Sequence, residues 1–134
     1  MSDVIVVEGI GEVYGQKLKA AGIKTTGVLL AKGATRSGRQ EIEKVTGLSV
    51  ALILKWVNHV DLYRIKGVAK QYAELLEAAG VDSVPELSHR VPGNLIPKLA
   101  EVNALKKLVR KVPTESQVAS WVEQAKHLPR VVSH

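Results

Sequence analysis

The stretch Val7-Glu8-Gly9-Ile10-Gly11 sets two glycines around one apolar residue, directly ahead of an amphipathic run. Glycine adopts positive φ and lets a backbone pass close by, and the helix that follows offers unpaired N–H groups at the positive end of its dipole. That combination can seat a phosphate. The pattern recurs as Val45-Thr46-Gly47-Leu48-Ser49 and Ile65-Lys66-Gly67-Val68-Ala69, and a fourth version, Val112-Pro113-Thr114-Glu115-Ser116, has lost its glycines. Glu8 and Glu12 put negative charge at the first copy, Lys44 and Lys55 lie near the second, and Lys66 and Lys70 flank the third. The expected phosphate-contacting set is therefore Gly9, Gly11, Gly47, Ser49, Lys66, Gly67 and Lys70. Arg36, Arg39 and the basic cluster Lys106, Lys107, Arg110 and Lys111 join it. The competing reading is structural: the same glycines serve a turn between packed helices, and a basic run is usually a solvated helix face.

Other chemistry finds little support. A dinucleotide loop needs a third glycine where Tyr14 stands and an acidic residue about 20 positions on, whereas none occurs between Glu12 and Glu41. His59, His89, His127 and His134 have no metal-ligand spacing, and Glu41 and Glu43 stand two apart, so they do not share a helix face. With no phosphate-gripping Lys loop and no nucleophile elbow, the expectation is a non-enzyme with no cofactor, no metal and no small-molecule substrate.

Composition bounds the rest. The 134 residues carry a net charge of +6, which favours anionic partners without requiring them. There is no Phe and no Cys, so the core is expected to be Leu, Val, Ile and Ala, without disulfides or thiolate sites. The start of the chain lacks a secretory signal and no apolar run could span a bilayer, so a cytoplasmic protein without membrane contact is expected.

The chain also repeats itself. Displaced by 58 positions, residues 7–31 align with 65–89, with Gly9/Gly67, Tyr14/Tyr72, Leu18/Leu76, Ala20/Ala78, Ala21/Ala79, Gly22/Gly80 and Leu29/Leu87 identical. Farther on the offset becomes 65 and pairs Trp56 with Trp121, which places a short insertion around Ala104–Val112. Both Trp and the matched Tyr14 and Tyr72 are expected to pack internally. The spacing predicts four short helices per half: one ending at Gly22, one capped by Thr25 or Thr26, one from the box Ser37-x-x-Gln40, and one from Ser49 to about Val60. In the second half Ser83-x-x-Glu86 and Thr114-x-x-Gln117 are capping boxes, and Asn94 opens a helix with Pro97 in its first turn. Val4–Val7 is expected to be extended. The divisions are 1–64, 65–128 with an inserted basic helix, and an irregular tail 129–134.

These hairpins resemble the helix-hairpin-helix superfamily, and nearly the whole chain is similar to an uncharacterised bacterial group of tandem helix-hairpin-helix proteins known as a domain of unknown function. The resemblance implies an all-α protein built from two packed helix-hairpin-helix pairs. It also implies contacts to the phosphate backbone of nucleic acid, duplex DNA foremost, through hairpin N–H groups with little base reading. The alternative is a protein-interaction or scaffold module whose hairpins are purely structural.

Overall fold

The computed structural model describes residues 2–134. Eight α-helices follow one another among them: α1 Gly11–Ala20, α2 Thr26–Gly33, α3 Arg36–Thr46, α4 Val50–Leu62, α5 Lys70–Ala78, α6 Val84–Ser88, α7 Pro92–Lys106 and α8 Glu115–His127. No strand occurs among the described residues, so the protein is all-helical as expected. Residues Val4–Val6 form a 3₁₀ turn instead of an extended segment, because the Asp3 carboxylate accepts the Ile5 N–H at 3.0 Å and starts a turn. Among the described residues no helix is long and apolar enough to cross a membrane.

The chain divides into two units, one running to Asp61 and including Val131–His134, the other Leu62–Arg130. In the first, α1 packs on the 3₁₀ turn and α2 on α3. Helix α1 ends in a Schellman turn: Gly22 takes φ of 85°, Ile23 N–H reaches the Leu18 carbonyl at 2.9 Å and Gly22 N–H reaches Lys19 at 3.0 Å. Thr25 caps α2 through the Val28 N–H, as read from the sequence. The cap of α3 is Thr35, two residues before the expected Ser37, since Thr35 is extended and its hydroxyl accepts the Gly38 N–H at 3.0 Å. Val132, in the C-terminal tail, is buried within this unit, and Ser133 N–H donates to the Ala34 carbonyl at 2.8 Å.

In the second unit α5 packs on α7, and α6 and α7 pack on α8. Leu75, Leu76, Leu87, Leu95, Leu99, Val118, Trp121 and Val122 are buried in its core. Helix α5 ends as α1 does: Gly80 takes φ of 93° and Val81 N–H reaches the Leu76 carbonyl at 2.8 Å. The Thr114–Gln117 capping box is complete in both directions. Helix α7 begins at Pro92, two residues before the expected Asn94, because proline at the first position is already set for a helix. Pro97 consequently lies inside the helix rather than in its first turn.

The expected basic helix around residues 104–112 is absent. Lys107 takes the left-handed conformation (φ 52°) and closes α7. The Asn103 side chain then holds the Val109 backbone in both senses, its amide donating to the Val109 carbonyl and its oxygen accepting the Val109 N–H, each at 3.0 Å. A loop pinned in this way buries Val109 and Pro113 without a helix.

Candidate functional site

Each hairpin was expected to aim free N–H groups outward, so the first question is which helix starts remain uncapped. Helix α4 does not: the Glu43 carboxylate accepts the Val50 N–H at 2.9 Å and the Ser49 hydroxyl accepts the Leu52 N–H at 3.2 Å. The Gly47–Ser49 hairpin thus holds a negative group of its own where a phosphate would sit. Gly47 itself, at φ of 77°, closes α3 by donating to the Glu43 carbonyl at 2.7 Å. Helix α8 is closed by its capping box.

Three helix starts lack a side-chain cap, α7 after Val91, where Pro92 has no N–H to cap, and the two hairpin helices α1 after Ile10 and α5 after Ala69. The hairpins of α1 and α5 share one backbone design. Gly9 and Gly67 have φ of 90° and 100°, a region that side chains rarely enter. A β-carbon on Gly9 would stand 3.6 Å from Trp56 Nε1, and one on Gly67 only 2.9 Å from Trp121 Nε1. Each Trp is buried and tilted against its unit's tyrosine, with ring centroids 5.4 Å apart for Tyr14–Trp56 and 5.2 Å for Tyr72–Trp121. The hairpin glycines therefore have a packing reason that needs no ligand.

What differs is the chemistry presented by the two hairpins. Across the 58-residue offset Glu8 corresponds to Lys66 and Glu12 to Lys70, so the charge is reversed at both positions. Likewise Ile5 corresponds to Tyr63, Val6 to Arg64 and Val13 to Gln71, so the first hairpin is apolar where the second unit is polar. Val13 is 69% exposed. The first turn of α1 holds Glu12, whereas that of α5 has no acidic residue. Negative charge at a helix start satisfies the dipole internally, and its absence leaves the α5 end open to an external anion.

The structure also brings some of the basic residues together. Gln124 on α8 fixes the hairpin backbone, accepting the Lys66 N–H at 2.8 Å and donating to the Lys66 carbonyl at 3.1 Å. Tyr72, in the first turn of α5, donates its hydroxyl to the Lys111 carbonyl at 3.3 Å, which ties the 107–113 loop to the helix that Lys70 starts. Lys66, Gly67, Lys70, Lys106, Lys107, Arg110 and Lys111 are all exposed in this unit. The second unit holds eleven Lys and Arg against seven Asp and Glu, and the first eight against six. Gly9, Gly11, Ser49 and Arg36 are exposed on the first unit.

Arg39 does not belong to a binding surface. It is 2% exposed, and its guanidinium donates to the carbonyls of Gly33 at 2.8 Å, Ala34 at 3.2 Å and Ser133 at 2.7 Å. Two of these carbonyls close α2, so the cation satisfies the negative end of that helix. Burial lowers the Arg39 pKa, and the neighbouring Arg36 charge adds to the effect.

Sequence reading missed Glu43, Gln124 and a cation beside each Schellman glycine. Lys32 Nζ lies 3.7 Å from where a Gly22 β-carbon would be, and Arg90 Nη2 lies 3.4 Å from the same point at Gly80. Lys32 and Arg90 correspond across the 58-residue offset, one step beyond the aligned segments, so extending the repeat would have found them. Gln124 reaches a partner 58 residues away, and Glu43 reaches across a hairpin to Val50, seven residues on and outside any capping-box spacing. Among the described residues no group of three or more His, Asp or Glu could hold a metal ion.

The sequence model of one family, described as a domain of unknown function (DUF4332), matches residues 8–128. None of the curated proteins and none of the solved structures matches the chain. With all eight helices inside the matched span, the chain belongs to the DUF4332 family of domains of unknown function.

Proposed function

We propose that this protein is a non-catalytic, cytoplasmic binding module, and that its second unit grips the phosphate backbone of nucleic acid, duplex DNA foremost. The observation that carries the reading is the start of α5: it is uncapped, free of acidic first-turn residues, built on a glycine at positive φ, and flanked by Lys66 and Lys70. In this reading the N–H groups at the start of α5 and the Lys66 and Lys70 ammonium groups hold one phosphate. Lys106, Lys107, Arg110 and Lys111 reach its neighbours along the strand. The two units are read as duplicated helix-hairpin-helix pairs, a reading supported by the matched Schellman turns, hairpin glycines and Tyr–Trp pairs.

Fluorescence anisotropy of labelled duplex DNA and RNA across a salt series tests this. Binding should fall steeply with salt and depend weakly on sequence. Lys66→Ala with Lys70→Ala should lower affinity at every sequence and flatten the slope of log affinity against log salt by about 1, the value for one phosphate no longer neutralised. A folded protein that binds no nucleic acid at low salt would refute the reading. The first hairpin favours a second reading, a protein-interaction module, because its exposed Val13 stands beside acidic Glu12 instead of a lysine.

A further inference from the structure

Residues 131–134 lie on the first unit as a bound peptide would, although the chain reaches them from Arg130, the last residue of the second unit. Val132 is the anchor, a branched apolar side chain that is buried. Ser133 is held by its backbone in both senses: its N–H donates to the Ala34 carbonyl at 2.8 Å, and its carbonyl accepts from Arg39 Nη2 at 2.7 Å. The Asn58 side-chain oxygen accepts from the His134 ring at 3.0 Å. Main-chain hydrogen bonds beside a side-chain pocket are the means by which grooves recognise extended peptides. The second unit does without these polar groups. Its third helix, α7, buries Leu95, Leu99 and Val102, and α8 has exposed Glu123 where the 65-residue offset places Asn58. Arg39 and Asn58 are therefore not required by the helical plan, and both are bonded to the segment that covers them. A buried guanidinium is costly unless acceptors surround it, so Arg39 calls for a peptide carbonyl where Ser133 places one.

We propose that this groove of the first unit, formed by Ala34, Arg39 and Asn58, is an exchangeable peptide-docking site that accepts residues 131–134 of a second copy in place of the chain's own. The second copy carries the same sequence, so every contact is re-formed in trans and the contact energies of the two states cancel. What separates the states is the tether. Helix α8 ends at His127, Leu128 is extended, and the Pro129 carbonyl accepts from Arg64 at 2.6 Å, so the link from that anchor to Val132 is short. A short link gives the chain's own segment an effective concentration on the order of 1 mM at the groove. A second copy therefore competes near that concentration, or when unfolding has freed all the segments together. The proposal concerns the first unit and stands whether or not the α5 hairpin binds phosphate.

The probe is a fluorescein-labelled peptide of residues 128–134, Leu-Pro-Arg-Val-Val-Ser-His, followed by anisotropy against the full chain. Two full-length variants open the groove: Val132→Asp, which expels the anchor, and the milder Ser133→Pro, which removes the N–H given to Ala34. A cooperative melt confirms that each is folded. Both should bind the peptide saturably, the parent should bind it at least about tenfold more weakly because its own segment competes, and a scrambled peptide should bind none of them. In a second experiment the parent is refolded from urea at about 1 mM, diluted, and examined by sedimentation velocity. It should contain an oligomer that an excess of unlabelled peptide during refolding prevents, while Val132→Asp treated alike should stay monomeric. Folded variants that ignore the peptide, a parent that binds it as well as they do, or a scrambled peptide that binds equally would overturn the proposal. So would a parent that refolds only to monomer, and that result decides the matter should neither variant fold.

Discussion

The hairpins at Gly9 and Gly67 are one backbone with two surfaces. In both, a glycine at positive φ lies against a buried tryptophan, an uncapped helix follows, and that helix ends in a Schellman turn. Yet Glu8 and Glu12 stand where the second unit has Lys66 and Lys70, and exposed Val13 stands where it has Gln71. The shared features are explained by backbone conformation and by packing on a buried tryptophan, whereas the differing side chains are exposed, or half-buried at Glu8. A backbone design used twice can thus keep its packing while its two occurrences present different surfaces, because the core does not constrain the outward side chains.

The packing side of this comparison gives the largest expected effects. Trp121→Ala or Trp56→Ala should cost about 3–5 kcal/mol by urea unfolding, as for any fully buried Trp removed without replacement. The glycines should separate the copies. Gly67→Ala should cost about 2–3 kcal/mol, since it combines positive φ with a contact too close to Trp121, and Gly9→Ala about 1–2 kcal/mol, since there the indole leaves room. Equal losses at the two positions would show that the difference in Trp approach has no energetic weight.

Removing residues 131–134 should affect one unit only. Arg39 would lose its acceptor on Ser133, buried Val132 would be lost, and the Asn58 side chain would lose its 3.0 Å partner, the His134 ring. A cost of about 2–3 kcal/mol is expected, from a charged hydrogen bond plus an apolar side chain. Native-state hydrogen exchange should quicken in α2 and α3 and stay unchanged in α5–α8. The smallest effect belongs to Asp3, whose carboxyl is held below its usual range by the Ile5 N–H and by Lys19 at 2.8 Å. A depressed carboxyl pKa adds stability above the ordinary carboxylate range and loses it as pH falls through the folded value. Asp3→Asn should therefore melt slightly earlier at neutral pH and match the parent in strong acid.

Local signals were legible in the sequence. The helix ends at Gly22 and Gly80 and the caps at Thr25, Ser83 and Thr114 rest on neighbouring residues, and each stands as read. Longer-range contacts were not. Arg39 reads as a surface cation until the Ser133 carbonyl arrives from 94 positions away to help bury it. The segment from Ala104 keeps helical apolar spacing, but Asn103 grips Val109 and ends the helix at Lys107. Among the candidate binding residues, the Lys66 and Lys70 pair was visible as charge. The occupation of the Gly47 hairpin by Glu43 required the fold, because Val50 is seven residues from the carboxylate that accepts its N–H.

The most direct test of opposite surfaces on one scaffold is an amide chemical-shift titration of the ¹⁵N-labelled protein with a short duplex DNA at low salt. The account predicts that the amides of Gly67, Lys70 and Gln71 shift in a saturable, salt-sensitive way, while those of Gly9, Glu12 and Val13 stay in place. Equal shifts at both hairpins, or shifts at the first alone, would contradict it.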